Sequence, residues 1–212
     1  MDHSTIAGVV AAAGLSSRMN AFKPLLRYGG TTIIESTVES LLASGAEQVF
    51  VVVGHQGRSI EALFRGHPRV CCVENPRYAD GDMFASVRIG LSCAAAYDKV
   101  LFLPGDMPAV EPAVCRALLT ELDRTGSLWG RPVREGRGQH PVLLTRPAVE
   151  QVVAFRGEGG LRGALRTLPA PPMDLPTDSL GCQIDVDTPG QYRFLLTYGV
   201  SRKRERGLGS IS

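Results

Sequence analysis

The sequence has no apolar run near the roughly 20 residues that a bilayer-spanning helix needs. It also has no CxxC pair and no internal repeat. Its cysteines number five (Cys71, Cys72, Cys93, Cys115, Cys182), an odd count that argues against a disulfide framework or a zinc site. Buried, inert thiols are expected instead. The opening MDHST lacks the basic and apolar regions of a signal peptide. A net charge of +2, from 23 cationic and 21 anionic residues, is too small for general nucleic-acid binding, which rests on many phosphate contacts. The two common phosphate-binding signatures, GxxxxGK[ST] and GxGxxG, are missing as well. These absences lead us to expect a cytoplasmic protein without a membrane or nucleic-acid partner.

What is present is ordinary for a globular chain. Of 212 residues, 44% are hydrophobic and 21% charged, enough for a substantial core. Residues 6–12 (IAGVVAA) form a continuous apolar run, as in a parallel strand covered on both faces. Further strands are expected at 48–53, 70–73, 100–103 and 141–145. Thr32 and Glu35 have capping-box spacing, opening a helix that passes Leu41 and Leu42 and stops at Gly45. Helices are also expected at 59–64, 84–96, 111–122, 147–153, 161–168 and 189–198. This alternation predicts an α/β fold with helices on both faces of a sheet. The proline-rich LPAPPMDLP is read as a surface crossing. We expect one domain over residues 1–198, then a basic flexible tail or a truncated linker over 199–212.

In open α/β sheets ligands bind at the carboxyl ends of strands, and three segments there carry chemistry. After the first strand comes AAAGLSSRMNAFKPLL. Gly14, Ser16 and Ser17 allow close backbone approach and offer donors to phosphate oxygens, while Arg18 and Lys23 supply positive charge. Next, PGDMP sets Asp106 just past a buried strand, suited to holding Mg2+. Third, IDVDTP alternates Asp185 and Asp187, which in a strand would face one side and repel unless a cation sits between them. Singly, each has a plainer explanation: a solvated turn, a turn residue, or Asp187 or Thr188 capping a helix with Pro189 at its first position. Their joint occurrence at strand ends favours a site.

These segments, with ENPRYADGDMFASVRIGL, FLPGDMP, GQHPVLL and IDVDTPGQY in that order, resemble the MobA-like nucleotidyltransferases over nearly the whole chain to about Tyr198. AAAGLSSRM is most similar to the molybdenum cofactor cytidylyltransferase branch. The resemblance implies a Rossmann-like fold with a mostly parallel central sheet. It implies transfer of CMP from CTP to molybdopterin with release of pyrophosphate, and Mg2+ (Mn2+ as a substitute) as cofactor. It places Ala12, Ala13, Gly14, Ser16 and Ser17 on the nucleotide, with Asn75, Gly81 and Ser86 shaping the nucleoside pocket. Arg18, Lys23 and Asp106 become catalytic. Asp106, Asp187 and Asp185 become metal ligands, and His140 and Arg162 acceptor contacts. A molybdoenzyme or its maturation chaperone is the implied protein partner. Two rivals remain open at this point: a transferase using GTP or acting on a sugar or other small phosphate, and a non-catalytic module that delivers the cofactor.

Overall fold

The computed structural model describes residues 4–14, 19, 21–79 and 83–208, with side chains through 199. In chain order the elements are β1 (Ile6–Ala12), β2 (Arg27–Tyr28), β3 (Thr31–Thr32), α1 (Ile33–Ala43), β4 (Gln48–Val53), α2 (Gly57–Leu63), β5 (Val70–Glu74), α3 (Met83–Cys93) and β6 (Lys99–Pro104). There follow α4 (Pro112–Thr125), β7 (Trp129–Arg134), β8 (Arg137–Gly138), β9 (Val142–Thr145), α5 (Arg146–Ala154), α6 (Gly160–Arg166), β10 (Met173–Pro176) and α7 (Pro189–Leu208).

The main sheet has the order β10-β7-β9-β6-β1-β4-β5, with β8 paired to β7. Strands β1, β4, β5 and β6 run parallel, and β10 is parallel to β7. Only β9 and the short β8 run against their neighbours. The sheet is therefore mostly parallel, as the family resemblance implied, with helices on both faces, as the alternating pattern predicted. Side chains alternate across it. Val10, Leu101, Leu103 and Leu143 pack on one face beneath α1, α2 and α4. Ala7, Val9, Val100, Phe102 and Leu144 pack on the other beneath α3, α5 and α6. Gly90 lets α3 press onto β1, since a Cβ there would clash with Val9 Cγ1.

The capping box forms as spaced: Thr32 Oγ1 accepts from Glu35 N, and Glu35 Oε2 accepts from Thr32 N at 2.8 Å. Trp129 is 4% exposed and anchors the second face of the core.

Several expectations need correction. LPAPPMDLP is not wholly a surface crossing, because Met173–Pro176 is an edge strand; proline is tolerated where one side of a strand needs no partner. The segment IDVDTP is not a strand, although its alternation survives: Ile184 and Val186 are buried while Asp185 and Asp187 point the other way. The closing helix continues past residue 198 to Leu208. Nor are the thiols uniformly buried. Cys115 and Cys182 are, but Cys71 and Cys93 are exposed, Cys71 because β5 is a sheet edge. Burial pushes the thiols of Cys72 and Cys115 up to about 11 and that of Cys182 to about 12, so none is an activated nucleophile. Among the described residues no helix is long and apolar enough to cross a membrane.

Candidate active site

Because β1 and β6 are parallel neighbours, their carboxyl ends emerge side by side. The chain leaving β6 is drawn tight against β1 by the bond from Gly105 N to Ala11 O at 2.9 Å. A Cβ on Gly105 would lie 2.9 Å from Ala12 Cβ and 3.0 Å from Ala11 O, so this close approach requires glycine. The result is that Asp106 stands directly beside the Ala12–Gly14 turn. Lys23, in a short 3-10 turn that Pro24 helps to start, reaches the same place from outside the sheet.

The Lys23 ammonium joins two carboxylates. Nζ donates to Asp187 Oδ1 at 2.5 Å and to Asp106 Oδ2 at 3.3 Å, bringing together residues 164 and 83 positions apart in sequence. Lys23 is 13% exposed, Asp106 23% and Asp187 39%, so the cluster is partly screened from water. Burial raises the pKa of Asp106; Lys23 opposes this, while Asp185 and Asp187 add to it. Asp185 is raised too, by burial first and then by Asp187, with Lys23 pulling the other way. Among the described residues, then, one ammonium bonds two carboxylates and a third lies close enough to be felt by both.

Two cavities meet at this cluster. The smaller, about 210 Å³, is lined by Ala11 to Gly14, Lys23, Tyr78 and Ser86 as well as Asp106 and Asp187. The larger, about 1270 Å³, has Asp106, Asp185 and Asp187 on the same wall and His140, Arg162 and Trp129 elsewhere. Hard oxygen donors of this kind suit Mg2+ or Mn2+. Among the described residues no three His, Cys, Asp or Glu side chains converge on one ion position. A cation here would therefore complete its shell with water and phosphate oxygens, the usual habit of Mg2+.

The expected residues are distributed as follows. Ala12, Ala13, Gly14, Lys23, Ser86, Asp106 and Asp187 line the small cavity. Asp185, His140 and Arg162 line the large one. Asn75 is only 2% exposed, and its amide donates to Ser86 Oγ at 2.9 Å, tying the chain after β5 to α3. Ser16, Ser17, Arg18 and Gly81 lie outside the described residues. Burial pushes the His140 imidazole down to about 4, so at neutral pH it carries no charge and meets Phe102 edge-on at 5.8 Å.

Sequence reasoning did not single out Arg131, Arg137 and Arg166, which make the large cavity basic together with Arg162. Arg131 lies over the Trp129 ring at 5.7 Å and donates to Asp174 at 2.8 Å. No local motif marks these arginines. They come from β7, β8 and α6, and only the tertiary fold brings them to one cavity.

Comparison with known proteins bears on the family and the fold. A family model described as the MobA-like NTP transferase domain matches residues 8–172. A molybdenum cofactor cytidylyltransferase of Escherichia coli (strain K12) is 25% identical over 89% of this chain and 94% of its own. A nicotine blue oxidoreductase of Paenarthrobacter nicotinovorans is 30% identical over 92% of this chain and 98% of its own. Among solved structures, a nucleotidyl transferase from Methanothermobacter thermautotroptrophicus superposes with a TM-score of 0.79 at 25% identity, covering 93% of this chain and 99% of that one.

Proposed function

Because the chain belongs to the MobA-like NTP transferase family and is a nucleotidyltransferase, we propose that it transfers CMP from CTP to the terminal phosphate of molybdopterin in the cytoplasm, releasing pyrophosphate. The observation that carries this reading is the Lys23 ammonium of the small cavity set between Asp106 and Asp187, which line both the small and the large cavity. Such an array places opposite charges where two anionic substrates must meet.

In this reading the backbone of Ala12, Ala13 and Gly14 binds the nucleotide phosphates in the small cavity, with Arg18, Ser16 and Ser17 completing the loop and Asn75, Gly81 and Ser86 shaping the nucleoside side. Lys23 holds the departing pyrophosphate. When bound, a divalent cation (Mg2+ or Mn2+) supplies charge neutralisation at the α-phosphate, held by Asp106 and Asp187 with Asp185 beside them. The acceptor enters the large cavity, where Arg162 grips its phosphate in a fork. That phosphate attacks the α-phosphorus as the bond to pyrophosphate breaks. A phosphate monoester has a second pKa of about 6, so no general base is needed. A neutral His140 accords with that, as a contact rather than a proton carrier. Positioning and charge neutralisation then account for catalysis.

The acceptor assignment is supported by the lining of the large cavity, where Phe84, Phe102, Trp129 and Leu161 stand among arginines. A flat ring system with an anionic tail suits that wall, since the ring can stack on the aromatic side chains while the arginines meet the phosphate, whereas a sugar ring offers no face to stack. A second reading takes its support from the oxidoreductase relative: redox chemistry at this site. Hydride transfer has no use for paired carboxylates bridged by an ammonium, which favours the first reading.

The test is pyrophosphate release with Mg2+, crossing CTP, GTP, ATP and UTP against molybdopterin and several sugar phosphates, alongside NADH oxidation. CTP with molybdopterin should be the productive pair, and Asp106→Ala should lower kcat by about 10³ or more. Turnover only with a sugar phosphate, or only NADH oxidation, overturns the assignment.

A further inference from the structure

The first turn of α7 carries a side chain whose contacts exceed those of a helix cap. Thr188 and Gln191 have capping-box spacing, and Thr188 Oγ1 accepts from Gln191 N at 3.3 Å. Gln191 Oε1 in turn accepts from Asp187 N and from Thr188 Oγ1, both at 3.0 Å. An ordinary box takes its second bond from the N-cap N–H; this one takes it from the preceding residue, Asp187. Here the other half of the amide, Nε2, donates to Asp185 Oδ1 at 2.9 Å.

This pattern fixes the amide's orientation. Turned over, the nitrogen would face the Asp187 N–H and the oxygen would face the Asp185 carboxylate, losing both bonds. It also fixes the residue type. Glutamate would preserve the cap but set a carboxylate against Asp185. Methionine would fill the space with neither bond. Only an amide of this length both accepts from the backbone and donates to a carboxylate.

We propose that Gln191 is a positioning residue: it stitches Asp185, the Asp187 backbone and Thr188 into one rigid turn, and so aims the Asp187 carboxylate at Asp106 and Lys23. The segment from Asp185 to Thr188 belongs to no strand and lacks ladder bonds of its own. Its path therefore depends on side-chain bonds, and the Gln191 amide supplies three of them. Without that brace the two aspartates, two positions apart, would separate by mutual repulsion. The inference rests on the reading of Asp187 as a metal ligand.

The test uses the full chain, Mn2+ alone as probe, and two measurements: Mn2+ affinity by electron paramagnetic resonance and thermal melting in EDTA. Gln191→Met should weaken Mn2+ binding about tenfold or more, the range seen when an outer partner of a metal ligand is lost. Thr188→Ala removes a cap hydroxyl but leaves the bonds to Asp185 and the Asp187 backbone. It should lower Tm by about 2–4 °C, as Gln191→Met does, with Mn2+ affinity unchanged. Asp187→Asn tests the underlying reading and should weaken Mn2+ binding in its own right. If Asp187→Asn weakens binding and Gln191→Met does not, Gln191 is only a cap and the inference is overturned while the metal reading stands. If Asp187→Asn leaves binding unchanged, the metal reading falls and takes the inference with it.

Discussion

The two cavities that meet at Asp106 and Asp187 are built on different principles. The smaller is made from the ends of two adjacent parallel strands, and most of its wall is backbone and small side chains: Ala11 to Gly14 on one side, Pro104 to Asp106 on the other. The larger is about six times the volume and is assembled from β7, the β8 turn, α3, α6 and the segments after β8 and before β10. Its wall is side chains, arginines among apolar groups. Backbone amides bind phosphates without distinguishing what the phosphates are attached to. A wall of side chains can distinguish one acceptor from another. On the proposed reading, the common chemistry belongs to the first cavity and acceptor choice to the second.

That contrast can be broken by substitution. The largest effect is expected where the cavities join. Lys23→Ala leaves Asp106 and Asp187 facing each other without the ammonium between them. Turnover should fall by roughly 10²–10³ with every acceptor tried, because the lost charge serves the shared step. A loss confined to one acceptor in steady-state assays would mean that Lys23 belongs to the acceptor side.

Next comes His140, on the wall of the large cavity. Burial holds its pKa at about 4, below the ordinary 6.5. A group whose folded pKa is depressed adds stability above the unfolded value, and that contribution is lost as pH falls from about 6.5 through about 4. The full loss amounts to about 3 kcal/mol by 1.36 kcal/mol per pH unit. Denaturant unfolding followed from pH 7 to 4 should show this slope in the native chain, and His140→Phe should flatten it. An unchanged slope would assign the acid sensitivity to other groups.

The smallest effect is expected at Arg162, exposed on α6. Arg162→Ala should raise KM for the acceptor about tenfold and leave KM for the nucleotide unchanged, the loss of one charged contact being worth roughly 1–2 kcal/mol. Equal rises in both constants would erase the division between the cavities.

How far the sequence could be read follows from the same division. The strand at Ile6–Ala12, the strand at Gln48–Val53 and the capping box at Thr32 were legible to the residue, since continuous β-branched runs and S/T-x-x-E spacing are local signals. Asp106, Asp187 and Lys23 were legible as candidates because each follows a recognisable strand end or turn. The arginine wall was not, and neither was the edge strand Met173–Pro176, whose prolines read as loop. The exposure of Cys71 was hidden for a related reason, since an edge strand and a central one can share an apolar pattern.

Local propensity, apolar periodicity and cap spacing act over a few residues, and they settled the α/β alternation and the chemistry available at each strand end. Only the packed sheet could decide which ends are neighbours. The antiparallel β9 between β6 and β7 brings the basic second half against the nucleotide end, and the close approach at Gly105 sets Asp106 beside Lys23. Asp187 joins them from the far end of the chain because Ile184 and Val186 must bury their side chains, which turns the aspartates between and after them toward the cleft. Charges more than 80 residues apart become partners through strand order and burial, and neither is written in any short stretch of sequence.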